Sequence, residues 1–164
     1  MLNKIFNKIK IQCLALTLGV LCLLCFLFTD IWISSYLLKL ISYLPSLEFR
    51  KIIGAVVLLM NDSLVLVIIS IFLTIIFANK LFEKFLLNSL LMTLGAFISD
   101  MSYCTVIQTQ YFDITYFQTL KLFSVNKITS ILIMAIVITL NFMVAIYLSM
   151  KIRNKYFLFG VGKE

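Results

Sequence analysis

Four long apolar runs, separated by polar segments, dominate the pattern along this chain. They lie at about residues 11–33, 52–78, 85–103 and 128–150. An α-helix needs about 20 residues to cross roughly 30 Å of hydrocarbon, and each run is near or above that length. The pattern therefore predicts an all-α integral membrane protein, with four transmembrane helices in a single domain over residues 1–164.

The segments between the runs predict how the helices are joined. Residues 34–51 mix leucine and isoleucine with lysine and serine, and contain the only proline, Pro45. We expect an interfacial helix or loop there, on the external side. Residues 79–84 predict a short turn. Residues 104–127 are rich in tyrosine, threonine and glutamine and predict a second external segment against the membrane interface.

The distribution of basic residues predicts the orientation. The N-terminal segment, the 79–84 turn and the C-terminal tail carry nine of the 14 lysines and arginines, and the two external segments carry five. Basic residues are enriched on the cytoplasmic side, so both termini are expected there. The basic and then apolar start is typical of a signal peptide, but no small-residue cleavage site follows it. We therefore expect the first span to be retained.

Composition narrows the chemistry. The chain is 63% hydrophobic and has no histidine, which excludes histidine-based zinc sites, Ser-His-Asp triads and haem ligation by histidine. The net charge of +7 is explained by membrane topology, so no nucleic-acid partner is expected. Membrane lipids are the expected surroundings, and no metal or cofactor is predicted.

A few residues within the apolar runs invite a functional interpretation. An ionised aspartate is costly in lipid, so Asp62 should face protein, water or headgroups. It could be a structural residue at the edge of the membrane, which we favour, or an acid inside a pocket. Cys22 and Cys25 have the spacing of a redox CxxC motif, but at helical spacing in an apolar run they favour packing on one face. Gly95 and Ala96 would allow a close helix approach.

Five short stretches lie at the predicted helix edges: FTDIW at 28–32, RKIIGAVV at 50–57, GAFISD at 95–100, YFDI at 111–114 and FSVNK at 123–127. In this order they resemble the motifs of lipoprotein signal peptidase (signal peptidase II), a family of intramembrane aspartyl proteases with four spans. The family motifs at these places are Asp-Gln-x-Thr-Lys, Arg-Asn-x-Gly-Ala-Ala-Phe, Gly-Asn-Leu-Ile-Asp-Arg, Val-Asp-Phe-Ile-Asp and Phe-Asn-x-Ala-Asp.

The resemblance implies a role for particular residues. Asp100 matches the first catalytic aspartate, and Lys127 stands where the family has the second. The residues implied in substrate binding are Asp30, Gly54, Asp113 and Asn126. The chain also departs from the family at Ile52, Phe97 and Met101, where asparagine, asparagine and arginine are expected.

The lysine matters because an aspartyl protease needs two carboxylates that share a proton. A lysine opposite Asp100 would hold it ionised and leave no acid to donate, unless Asp62 or Asp113 supplied one. The resemblance thus implies a protein of the bacterial cytoplasmic (inner) membrane that acts on or binds lipid-modified prolipoproteins and is catalytically impaired. Its partners would be lipidated peptides or partner transmembrane helices. The alternative is an unrelated four-span inner-membrane subunit of a larger complex.

Overall fold

The computed structural model describes residues 2–43, 47–107 and 127–156, apart from some side chains within their helices. The regular structure of these ranges is helical, as expected where lipid cannot satisfy backbone polar groups. The elements are α1 (Leu2–Ser42), α2 (Leu47–Thr74), a 3₁₀ turn (Ile75–Phe77), α3 (Ala78–Phe82), α4 (Phe85–Ile107) and α5 (Lys127–Tyr156).

Three stretches in these helices are long and apolar enough to cross a membrane: Ile9–Thr29, Met60–Phe82 and Ile131–Tyr156. Within the described residues, α4 contributes a shorter apolar stretch, Phe85–Ser99. Three candidate spans and a fourth apolar helix are the features of an all-α membrane protein, as the sequence predicted.

The four long helices form a bundle in which each packs against two neighbours. α1 packs against α2 and α4, and α5 packs against the same two helices. Glu83 and Lys84 join α3 to α4, and we call this end of the bundle the turn end. At the opposite end, the open end, α1 and α4 finish and α2 and α5 begin.

Glycines set the closest helix contact, between α1 and α4. A Cβ atom added at Gly19 would collide with the backbone of Met92, and one added at Gly95 would collide with the backbone carbonyl of Leu16. Small residues at helix crossings let backbones approach in membranes, where packing replaces the hydrophobic effect as the attraction between helices. Ala96, which lies beside Gly95, is also buried. The predicted role of Gly95 is confirmed, and Gly19 adds a second contact that we did not predict.

Two boundaries differ from the sequence prediction. α1 does not stop near residue 33 but continues to Ser42, and α2 begins at Leu47, so residues 34–42 extend the first helix instead of forming a separate element. Outside the hydrocarbon a helix no longer needs apolar residues, and hydropathy therefore does not mark its end.

The second difference is a break in the helix at residues 75–77, inside the candidate span Met60–Phe82. The hydroxyls of Ser70 and Thr74 donate to the carbonyls of Leu66 and Ser70, both at 2.6 Å. Such bonding to the preceding turn often bends helices. Within the 3₁₀ turn, the carbonyl of Ile76 accepts a hydrogen bond from Nη1 of Arg153 in α5 at 2.7 Å. α5 therefore stabilises the interruption by occupying a carbonyl at the 3₁₀ turn.

Candidate functional site

The structure describes the side chains of some of the site residues implied by the resemblance and only the backbones of others. Gly54 is buried in α2. Asp30 lies in α1 and Asp100 in α4, but their side chains fall outside the described part of the chain, as does that of Lys127, the first residue of α5. Asp113 and Asn126 lie outside the described residues altogether. The helices thus fix the backbone positions of four of these residues, Asp30, Gly54, Asp100 and Lys127.

A hydrogen bond between α4 and α5 gives the relative heights of these backbones. The hydroxyls of Thr93 and Thr139 lie 2.9 Å apart. Asp100 follows Thr93 by seven residues, about 10 Å along α4, and Lys127 precedes Thr139 by 12 residues, about 18 Å along α5. The two helices run antiparallel, so both residues lie toward the open end, with the backbone of Lys127 about 8 Å further out.

Buried polar side chains occur along the whole bundle, and those of Asn88, Ser89 and Ser149 lie toward the turn end. A few others lie nearer the open end or close to the middle. Asp62 of α2 is 2% exposed, which places this acid against protein. Next to it, the amide nitrogen of Asn61 is buried and has no hydrogen-bond partner in the described part of the chain. The same holds for the hydroxyl of Ser99 in α4 and the amide nitrogen of Asn141 in α5. We call Asn61, Asp62, Ser99 and Asn141 the buried polar group.

Unpartnered amides and hydroxyls are unusual inside a bundle, because each costs about 1–3 kcal/mol when nothing replaces its bond to water. In membrane proteins such residues usually face other helices, water-filled cavities or substrate paths. The amides of Asn61 and Asn141 and the hydroxyl of Ser99 can each therefore form a further hydrogen bond. The described side chains at these four positions include one carboxylate, that of Asp62, whereas an aspartyl dyad requires two.

A groove opens between α2 and α5, with a cavity volume of about 510 Å³. Its polar lining residues are Ser63 and Asn141. The rest of the lining is apolar: Met60, Leu64, Val67, Ile68, Ile71 and Leu148. The groove therefore combines a lipid-like wall with two groups that can form hydrogen bonds.

The cysteines and the possible metal ligands do not form a site in the described residues. Cys22 is buried and Cys25 is exposed, and both are free thiols. Packing is confirmed for Cys22, but Cys25 does not share its buried face, because three residues of helix rotate a side chain by about 60° from its starting direction. Among the described residues, no group of three histidine, cysteine, aspartate or glutamate side chains could hold a metal ion.

No protein-family model, no curated protein and no solved structure matches this chain. The signal peptidase II resemblance therefore depends on the five short sequence stretches at the predicted helix edges.

Sequence reasoning missed several residues that position these features. It did not single out the Thr93–Thr139 pair, the Thr74–Ser149 pair at 2.9 Å, or Asn141. One signal was present, because Asp62, Ser70 and Thr74 follow a spacing of four or eight residues, which places them on one face of α2. Asn141 is likewise a lone amide near the middle of the fourth apolar run.

Proposed function

We propose that this chain is a four-span inner-membrane protein of the signal peptidase II type, which binds lipid-modified prolipoproteins at its open end and is impaired in cleaving them. The basic residues of the turn end, among them Lys80, Lys151 and Arg153, support a cytoplasmic location for that end. The open end then faces the opposite side of the membrane, where a lipid-modified precursor would present its peptide.

The observation that carries the proposal is the register of α4 and α5. The Thr93–Thr139 hydrogen bond and the antiparallel packing put the backbones of Asp100 and Lys127 toward the same end of the bundle. The proposal requires this arrangement, and an Asp100 at the turn end would have ruled it out. Gly54 lies in the first part of α2, toward the same end, and is buried.

Binding without efficient cleavage follows from the residue at position 127. Peptide hydrolysis by a carboxylate dyad needs one group to take a proton from water and the other to donate one to the scissile carbonyl. A lysine at position 127 cannot act as the acidic carboxyl partner of such a dyad. Attraction of the lipid anchor and the peptide to the bundle does not depend on this pair.

The test is a binding and cleavage measurement with the full chain in phospholipid nanodiscs. The probe is a fluorescent prolipoprotein peptide that carries a diacylglyceryl-modified cysteine, and the reference is a peptide with the same lipid on a scrambled sequence. We expect saturable binding of the native sequence, weaker binding of the scrambled one, and no cleavage product. Equal binding of both peptides would contradict the proposal.

A matched pair of α2 variants tests the place of binding. Gly54→Leu adds a side chain at a buried position and is expected to weaken binding at least about tenfold, the effect of about 1.4 kcal/mol. Val56→Leu adds a smaller increment two residues away at a position that is 43% exposed, and should leave binding unchanged. Equal affinities for the two variants would place the binding site elsewhere.

Two further variants separate binding from chemistry. Lys127→Asp restores a carboxylate and brings the site closer to a working dyad, which is measured as cleavage of the same peptide. Cleavage by the unmodified protein that disappears in Asp100→Asn would show that a second acid acts with Asp100. The prediction of impaired cleavage would then be wrong, although the proposed relationship to the peptidase family would stand.

A subunit of a larger membrane complex, without any peptidase relationship, is the second candidate. The unpartnered amide nitrogen of Asn61 favours it, because polar side chains within apolar helices commonly bind neighbouring helices. Purification from native membranes in a mild detergent distinguishes the two. A stoichiometric partner, together with no preference for the lipidated peptide, would support the subunit.

A further inference from the structure

The lining of the groove between α2 and α5 includes two polar side chains. Ser63 and Asn141 line it, and neither side chain makes a hydrogen bond among the residues that the structure describes. The groove is bordered by apolar side chains that face outward, with exposed fractions of 68% for Met60 and 61% for Leu64. The two polar side chains of such a groove gain hydrogen-bond partners only when another molecule occupies it.

The depth of Asn141 limits what that occupant can be. Asn141 lies near the middle of the candidate span Ile131–Tyr156, away from the headgroups on either side. A lipid acyl chain can fill the apolar part of the groove, but it has no donor or acceptor at this depth. Another helix that carries hydrogen-bonding side chains can fill the apolar part and also bond to Ser63 and to the outward atom of the Asn141 amide.

We propose that the occupant is a second copy of this chain, docked groove to groove about a two-fold axis, with Asn141 of each protomer bonded to Ser63 of the other. An amide and a hydroxyl each donate and accept, so the two residues are complementary to each other. A two-fold axis forms the same pair twice, as in symmetric dimers generally. The outward-facing Met60, Leu64 and Ile68 of α2, which are exposed in the single chain, then pack against α5 of the partner.

A second copy fits better than an unrelated helix because the groove already holds both halves of the pair. A different partner would need its own donor and acceptor at matching depth. Rotation of the Asn141 amide about its terminal bond exchanges the buried nitrogen and the outward oxygen, so either atom can meet the partner hydroxyl. This interface lies on α2 and α5 within the membrane, and it is independent of any peptide bound at the open end.

The experiment measures the mass of the full chain by sedimentation equilibrium in density-matched detergent over a range of protein-to-detergent ratios. The monomer is 18.9 kDa, and we expect a reversible transition to twice that mass. Asn141→Leu should weaken association roughly tenfold, because each dimer loses two interhelical hydrogen bonds. Asn141→Gln, which keeps the amide, should restore much of the affinity. Asn79→Leu makes the same asparagine-to-leucine change at an exposed position of α3 and should change nothing.

The double variant is the sharpest test. Ser63→Ala removes only a hydroxyl, and it should weaken association by the same factor as Asn141→Leu. Because both variants break the same pair, the combination should remain about tenfold weaker and not become a hundredfold weaker. Circular dichroism of each variant checks that the helices are retained.

Three results would overturn the proposal: a monomer at all ratios, a dimer unaffected by Ser63→Ala and Asn141→Leu, or independent, multiplicative effects of the two changes. Purification of the chain from native membranes in a complex with a different subunit, lost in Asn141→Leu, would assign the groove to that subunit instead.

Discussion

Replacing Gly19 by alanine should push α1 and α4 apart. The new Cβ would lie against the carbonyl oxygen of Met92 and 2.7 Å from the Met92 carbonyl carbon and Cα. Ordinary van der Waals contact begins near 3.4 Å. Because every atom involved is backbone, no side chain can rotate away, and the helices must separate by at least about 0.7 Å.

The size of the effect follows from two opposing contributions. A gap of 0.5–1 Å removes roughly a quarter to a half of the dispersion attraction between facing atoms, and overpacking typically costs about 1–3 kcal/mol. The upper value is appropriate here because dispersion is the main attraction between helices in lipid. Alanine is the better helix former by about 1 kcal/mol, which offsets part of the loss. We expect a net destabilisation of about 2 kcal/mol.

Gly95→Ala should be milder. Apart from the carbonyl oxygen of Leu16, its nearest atoms are the Leu16 carbonyl carbon and the Val20 nitrogen, both at 3.1 Å. A smaller displacement relieves these contacts. Leu94→Phe is the control, because position 94 is 50% exposed and its enlarged side chain faces away from α1.

The assay is an SDS titration in mixed micelles, followed by energy transfer between a donor on α1 and an acceptor on α4. The signal reports helix separation directly, and the midpoint gives the change in free energy of unfolding. The reasoning fails if Gly19→Ala is as stable as the parent or more stable, since helix propensity alone predicts a gain.

The remaining predictions concern hydrogen bonds between elements. Thr93→Val breaks the bond to Thr139 and should cost about 0.6 kcal/mol, and the double valine variant should cost little more, as a double-mutant cycle will show. Arg153→Met frees the carbonyl of Ile76 and should raise amide exchange across the 3₁₀ turn several-fold while leaving α4 unchanged. Asn88→Leu leaves a buried carbonyl of α3 unpaired and should lower stability by about 2 kcal/mol in the same titration, whereas an unchanged midpoint would show that the 2.7 Å bond contributes nothing.

The helices themselves could be predicted because each must present about 20 mostly apolar residues to cross the hydrocarbon. Residues 85–103 and 128–150 were predicted as runs, and α4 (Phe85–Ile107) and α5 (Lys127–Tyr156) contain them. The break at Ile75–Phe77 could not be predicted, since these residues are as apolar as their neighbours and the interruption is stabilised by Arg153, some 77 positions away.

The candidate site was predicted less completely, because it too depends on contacts between helices that are distant in the sequence. Asp62 stood out as a charge in an apolar run, and its burial agrees with an acid that faces protein. Asn141 became notable only when α5 was packed against α2, because an unpartnered amide is a property of the assembled bundle. Hydropathy along the chain carries no information about which helices become neighbours.

The length of α1 has a consequence for how the protein's sidedness can be determined. With 41 residues α1 is about 61 Å long, about twice the roughly 30 Å of hydrocarbon that a helix must cross. At the open end the helix is followed by Tyr43, whose side chain is 84% exposed. An epitope inserted beside Tyr43 would be accessible to antibody on one face of a sealed vesicle only, so a single label would report the orientation of the whole bundle.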